Sequence, residues 1–203
     1  MVNKKVILFL NGEVPHKAPI LSNYQKIYCT DGSFHYLKTL GITPDVITGD
    51  FDSINTTIFP NNVKIIHTPD QNYTDFEKAL QLILEHGFTS VDVFGASGKQ
   101  QDHFLGNLNA AYKFKNQLLI HFYDNYSTYS FITNHFTLNN TLGKTISLIP
   151  FPETKRITTK GLQYPLKNED LTLIDRIGTR NKAIEDEIEI TYKSGDLVLF
   201  IMD

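Results

Sequence analysis

Val63-Lys64-Ile65-Ile66-His67-Thr68-Pro69-Asp70-Gln71-Asn72-Tyr73-Thr74-Asp75-Phe76-Glu77-Lys78-Ala79-Leu80-Gln81-Leu82-Ile83-Leu84-Glu85-His86-Gly87 reads as a strand, a polar connection and a helix in succession. Val63–His67 is a short run rich in β-branched residues, the length and composition of a strand. Thr74-Asp75-Phe76-Glu77 fits a capping box, in which the Thr and Glu side chains satisfy each other's free backbone N–H groups. Phe76, Ala79, Leu80, Ile83 and Leu84 recur at helical spacing and form one apolar face. Gly87 suits the C-terminal stop, where the chain needs a left-handed residue.

The same alternation extends outward through the first half. Val6–Leu10, Lys26–Thr30, Asp45–Thr48, Val91–Phe94 and Leu118–Tyr123 read as further strands, several with no polar alternation, as when both faces of a sheet are covered. A second helix is expected over about Asp102 to Phe114, with Leu105, Leu108 and Ala111 or Tyr112 turned inward. Strands alternating with helices imply a mostly parallel, Rossmann-like α/β domain over residues 1–128. Beyond it the pattern turns to β-branched and aromatic residues, in Tyr126–Thr133, Phe136–Leu138, Thr145–Ile149 and Leu171–Ile174. Glu187–Tyr192 and Leu197–Met202 flank Lys193-Ser194-Gly195-Asp196, which reads as a hairpin. Residues 129–203 are expected to form an antiparallel β-sandwich.

The 203 residues, 41% hydrophobic and 20% charged, describe a globular protein with enough chain for a real core. A net charge of −3 without a Lys/Arg run leaves no electrostatic footprint for nucleic acid. The single cysteine, Cys29, has no partner for an internal disulfide, so a reducing, cytoplasmic location is expected. The apolar run after Lys5 is too short for a signal or membrane segment.

In open parallel sheets, ligands bind outside the carboxyl ends of the strands. Asp31, Asp50, Asp70 and the Gly95–Asp102 loop all follow expected strands. Asp50 and Asp52, in Gly49-Asp50-Phe51-Asp52-Ser53, sit two apart; if the backbone stays extended they point the same way, roughly 7 Å apart. Asp75, in the first turn of its helix, gains from the positive end of the helix dipole. Crowded carboxylates repel unless a hard cation takes them. Mg²⁺ uses one or two carboxylates and adds phosphate oxygens of a substrate, so the pattern points to chemistry on a polyphosphate.

Taken together, Asp31-Gly32, Pro44 to Ser53, Asp70 to Leu80, Asp102-His103 with Asn107, and Gly161-Leu162-Gln163-Tyr164-Pro165-Leu166 resemble the thiamin pyrophosphokinase family along nearly the whole chain. The resemblance implies an α/β domain followed by a β-sandwich, and a homodimer with its active site between subunits. It implies transfer of the pyrophosphoryl group of ATP to thiamin, with Mg²⁺, releasing AMP. On the same resemblance Asp50, Asp52 and Asp75 bind Mg²⁺, supported by Asp70 and Asp31. Gly49, Gln71, Thr74, Lys78, Asp102 and His103 line the nucleotide side, and Thr179, Arg180 and Asn181 approach thiamin. The base that takes the thiamin hydroxyl proton is left open among Asp31, Asp70 and Asp102.

The chain departs from the family pattern at three places. Ser33 stands where a second Gly is usual, Gln100 where an Arg is usual two residues before Asp-His, and Arg180 where Ser is common. Loss of the Arg removes a bidentate phosphate contact that Lys99 replaces only as a point charge. Arg180 is expected to turn from a cationic substrate toward phosphate, Glu185 or Asp186. Two rivals explain part of the pattern. A metal-dependent glycosyltransferase also uses Asp-x-Asp after a strand, and a non-catalytic nucleotide or thiamin sensor can keep the fold. Neither requires the full set Asp31, Asp50, Asp52, Asp70 and Asp75.

Overall fold

The apolar run at the start of the chain forms β1 (Lys5–Phe9), whose last four residues are fully buried. The structure, a computed structural model, describes residues 5–52 and 59–202. Ser53, the last residue of the Gly49–Ser53 motif, lies outside the described residues. The chain is mixed α/β and divides into two units, Met1–Asn125 and Tyr126–Asp203, with the division three residues before the expected boundary.

In the first unit β1 is followed by β2 (Ile27–Thr30), α1 (Phe34–Thr39), β3 (Val46–Gly49), β4 (Lys64–His67), α2 (Asp75–Glu85), β5 (Ser90–Phe94), α3 (Gln101–Phe114) and β6 (Leu119–Tyr123). The sheet order is β4-β3-β2-β1-β5-β6, and each neighbouring pair is parallel. The chain therefore walks outward from β1 to β4 and returns to β5 on the other side of β1. The order reverses between β1 and β5, which is where an open parallel sheet leaves a crevice at its carboxyl edge.

Capping, periodicity and packing agree in α2. Thr74 Oγ1 accepts the Glu77 N–H at 3.2 Å, and the Glu77 carboxylate accepts the Thr74 N–H. Phe76, Ala79, Leu80 and Ile83 are buried, and burying a side chain the size of Leu80 or Ile83 contributes about 1.5–3 kcal/mol. The helix stops at Gly87, whose φ of +80° suits glycine best. On another cluster of the same unit, Ile7, Phe9, Cys29 and Ile47 pack with Phe34 and Leu37.

The register of α3 corrects one expectation. Leu105 is 63% exposed, whereas Leu108, Ala110 and Ala111 are buried and Phe104 is half-buried. The helix turns its arc through 104, 108 and 111 to the protein, at i, i+4, i+7 spacing, and this leaves 105 outside.

The second unit is antiparallel throughout its named pairs. It contains β7 (Thr128–Ile132), β8 (His135–Leu138), β9 (Thr145–Lys160), β10 (Lys167–Thr172), β11 (Gly178–Lys182), β12 (Ile188–Thr191) and β13 (Ser194–Met202). The 16-residue β9 is its organiser: it pairs with β10, β11, β12 and β13. Ile146, Leu148, Ile157, Leu171, Ile188, Ile190, Leu197 and Leu199 form its core.

Three expectations change here. The strand beginning at Thr145 runs far beyond Ile149. The segments on either side of Lys193–Asp196 are strands but not a hairpin, because β12 pairs with β8 and β9 while β13 pairs with β7 and β9. The segment Leu171–Ile174 is only the end of β10; Leu173 and Ile174 lie in the following turn, 48% and 96% exposed.

Candidate functional site

The loops at the carboxyl edge of the first unit enclose a cleft of about 660 Å³. β2 delivers Asp31 to it, β3 delivers Asp50, and the β4–α2 connection brings Gln71, Thr74 and Asp75. The first turn of α3 adds Asp102 and His103, both exposed side chains. Asn107, one turn further, donates its amide to the Ala96 carbonyl at 2.8 Å and so ties α3 to the loop after β5.

Asp31 is 7% exposed and works hard for its place. Its Oδ1 accepts the Gly32 N–H at 2.6 Å and its Oδ2 the Phe51 N–H at 3.1 Å. Burial pushes its carboxyl above the usual carboxylate range; the two N–H bonds oppose this, and the charges of Asp75 and Asp50 add to it. Gly49 exists for the same contact, since a Cβ there would lie 2.5 Å from Asp31 Cγ.

Asp50 is tuned the other way. The Gln71 amide donates to Oδ2 at 3.0 Å and the Asp52 N–H to Oδ1 at 3.2 Å, which holds Asp50 below the usual range. The backbone does not stay extended across this motif. Phe51 has φ +60°, so the chain turns, and Asp52 is exposed and outside the residues lining the cleft.

Asp70 also stands apart from the cleft. Its Oδ1 accepts both the backbone and side-chain N–H groups of Asn72, at 2.9 and 2.8 Å, which shapes the connection, and the residue borders a separate groove beside α2. Lys78 lines both cavities.

Sequence reasoning passed over the loop after β1. Asn11 and Gly12 line the cleft, Gly12 N–H donates to the Gly95 carbonyl at 2.7 Å, and Lys99 Nζ donates to Asn11 Oδ1 at 3.1 Å. The signal was present: an Asn-Gly pair directly after an apolar run, at the same edge as the aspartates.

Thr179, Arg180 and Asn181 lie on β11 in the second unit. Asn181 grips the Tyr164 backbone from both sides, accepting its N–H at 3.1 Å and donating to its carbonyl at 2.7 Å. Arg180 has φ +54° and donates its N–H to Ser147 Oγ at 2.9 Å. Its guanidinium forms no ion pair with the described residues, so the expected pairing with Glu185 or Asp186 is not made.

The cleft's acidic donors are all carboxylate oxygens, the chemistry a hard divalent cation takes. Among the described residues no three Asp, Glu, His or Cys side chains stand close enough to hold a metal ion by themselves. Mg²⁺ does not need three, because substrate phosphates and waters fill the rest of its octahedron. No described helix is long and apolar enough to cross a membrane.

Family comparison covers both units. The model of the thiamin pyrophosphokinase catalytic domain matches residues 18–122, and that of the thiamin pyrophosphokinase vitamin B1 binding domain matches residues 133–197. Thiamin pyrophosphokinase 1 of Caenorhabditis elegans is 29% identical over 217 residues, covering 98% of this chain and 88% of the relative. Thiamine pyrophosphokinase of Bacillus subtilis is 30% identical over 172 residues, covering 80% of each. The crystal structure of thiamine pyrophosphokinase from Bacillus subtilis superposes with a TM-score of 0.82 at 25% identity, over 97% of this chain and 98% of that one. The yeast thiamin pyrophosphokinase structure shares the fold, with a TM-score of 0.86 at 18% identity, over 100% of this chain and 87% of that one.

Proposed function

The chain belongs to the thiamin pyrophosphokinase family, and from that premise we propose that its acidic cleft is where the pyrophosphoryl group of ATP passes to the hydroxyl of thiamin, leaving AMP. The observation that carries this reading is the convergence of Asp31, Asp50, Gln71 and Asp75 on the carboxyl edge of the sheet, beside the point where strand order reverses.

The reaction asks the protein mainly for positioning and charge neutralisation. The hydroxyl oxygen attacks the β-phosphorus of ATP in line with the bond to the α-phosphate, that bond breaks, and AMP departs. Asp50, Asp52 and Asp75 would hold Mg²⁺, which when bound offsets the negative charge of the phosphoryl oxygens. Asp50, held ionised by Gln71, suits that role. Asp31, with its carboxyl raised by burial, is the better suited to take the hydroxyl proton. Asp70 instead shapes the loop. The Asp102 and His103 side chains and the Asn11–Gly12 and Gly95–Ser97 backbones line the nucleotide side. Thr179 faces thiamin from β11, Arg180 turns its charge from the cation toward phosphate, and Asn181 acts through the Tyr164 backbone it holds.

The architecture we propose is a Rossmann-like first domain and a β-sandwich second domain. In its support, β9 pairs with β11 near its start, with β10 and β12 near its end and with β13 along most of its length, and the unit buries one apolar core. The working unit is a homodimer whose sites are completed across the subunit interface. Sedimentation at assay concentration tests this, and a fully active monomer overturns it.

The deciding assay incubates the protein with Mg-ATP and thiamin and separates the products. AMP and thiamin pyrophosphate in equal amounts are expected. ADP with thiamin monophosphate would replace the reading with a simple kinase.

A further inference from the structure

Lys78 is the fourth residue of α2 and stands in the wall shared by the cleft and the neighbouring groove of about 830 Å³. Its ammonium meets three acceptors: the Thr68 carbonyl at 2.7 Å, the Asp70 carbonyl at 3.3 Å and Asp75 Oδ1 at 2.9 Å. A lysine has three N–H donors, so all are engaged. The side chain is only 9% exposed, against 41% for that of Asp75. A phosphate oxygen would have to displace one of these acceptors, and the half-buried Thr68 carbonyl, which holds the shortest of the three contacts, would lose its donor at a cost in free energy.

We infer that Lys78 is a positioning residue for pyrophosphoryl transfer and not a phosphate ligand: it staples the β4–α2 connection and aims the Asp75 carboxylate. The inference rests on the functional reading above.

The geometry of the connection explains why one staple suffices. Its start is anchored where the Thr68 N–H donates to the Gly49 carbonyl at 2.8 Å, and its end is anchored by the Thr74 capping box. Between them Pro69 brings no N–H, and the Asp70–Asn72 contacts are local to the turn. Lys78 joins this middle part to α2. The same connection carries Gln71, whose amide holds Asp50. One ammonium thereby sets the placement of two carboxylates, and its charge beside Asp75 reduces the repulsion that the cleft presents to a polyphosphate.

Amine-selective acetylation of the intact wild-type protein, read by mass spectrometry with and without Mg-ATP, tests the burial of this amine directly. The exposed Lys17 and Lys38 should react readily. Lys78 should react at least about tenfold more slowly in both conditions. A Lys78 that reacts as fast as Lys17 in the free protein and is shielded by ATP would overturn the inference.

Kinetics provide the second arm. Lys78→Met is expected to lower kcat by about thirtyfold while the KM for ATP stays within about threefold and is insensitive to salt. On an Asp75→Asn background the same change should cost less than about tenfold more, because the part of its action that runs through Asp75 is already lost and only the part through Gln71 and Asp50 remains. A KM for ATP raised about tenfold with kcat retained, and recovering at high salt, would instead make Lys78 a phosphate ligand. If Lys78→Met fails to fold, the acetylation result decides. Absence of AMP and thiamin pyrophosphate from the wild-type reaction would count against the functional reading alone, since the acetylation pattern is read without turnover.

Discussion

Asp31 occupies the space that a side chain at position 49 would need: a Cβ on Gly49 would lie 2.5 Å from Asp31 Cγ and 2.6 Å from its Oδ2. β2 and β3 are paired with Thr30 opposite Thr48, so the next residue of each strand meets its neighbour at the mouth of the cleft. There the carboxylate bridges the Gly32 and Phe51 N–H groups and fixes the turn that presents Asp50. Gly49→Ala is therefore expected to cost about 1–3 kcal/mol of stability by overpacking. It should also lower turnover by at least about tenfold, because Asp31 must shift. Thermal denaturation and kcat measure the two effects, and wild-type values for both would show that Asp31 yields without consequence.

The α/β half was legible because its signals are local and agree with one another. In α2 the capping box, the apolar period and the terminal glycine all mark the same helix, and the structure carries each of them. The α3 register was harder, since Leu105 and Phe104 are both apolar and only the packed sheet selects between them. Long-range pairing was least legible. Nothing in Glu187–Met202 reveals that β9 intervenes between β12 and β13, because strand partners depend on residues far away in the chain.

At the site, residue identity was more readable than residue task. Asp31, Asp50 and residues of the Gly95–Asp102 loop share a cleft, as the rule of carboxyl strand ends implies, with Asp75 added from the first turn of α2, whereas Asp70 does not line it. The two-residue spacing places Asp50 and Asp52 on one side only of an extended backbone, and the positive φ of Phe51 means that condition is not met. Lys78 and Asn181 have the polar character of ligands, yet Lys78 donates to two backbone carbonyls and the Asp75 carboxylate and Asn181 donates to the Tyr164 carbonyl, contacts that no spacing rule discloses.

Asp50→Asn and Asp52→Asn are each expected to lower kcat about a hundredfold. Melting temperature should hardly change, because both groups are exposed or nearly so and neither anchors the core. A chelator should abolish activity and added Mg²⁺ restore it. Undiminished turnover in Asp52→Asn would remove that residue from the cation's shell and leave Asp50 and Asp75 to hold it.

Acid should weaken the fold through two histidines. Burial lowers the pKa of both His86 and His121 from the ordinary 6.5. The His86 Nδ1 lies 2.6 Å from the Tyr28 hydroxyl, and a neutral ring with its proton on Nε2 accepts that O–H. A histidine whose folded pKa is depressed contributes stability that is full above about pH 6.5 and is lost as the pH falls through the folded value, because the unfolded chain binds the proton first. The urea midpoint should thus fall between about pH 7 and pH 5. A His86→Gln variant should show a shallower fall over that window; an equally steep one would assign the acid sensitivity elsewhere.

Arg180 is the sharpest test of the second unit. Its φ of +54° is a conformation that suits glycine, and its N–H is tied to Ser147. Arg180→Gly should therefore raise stability by about 0.5–1 kcal/mol if the backbone conformation is kept. The guanidinium is exposed and without an ion pair among the described residues, so its charge is available to a ligand. A second cation facing thiamin would cost Coulomb energy in a partly desolvated pocket. Arg180→Ser is accordingly expected to leave the KM for thiamin unchanged or lower. Its loss should appear in the KM for ATP, by about two- to fivefold, and should shrink as salt rises. A large weakening of thiamin binding alone would mean that Arg180 shapes the vitamin pocket directly, with its alkyl stem packed on the rings and its charge turned to solvent.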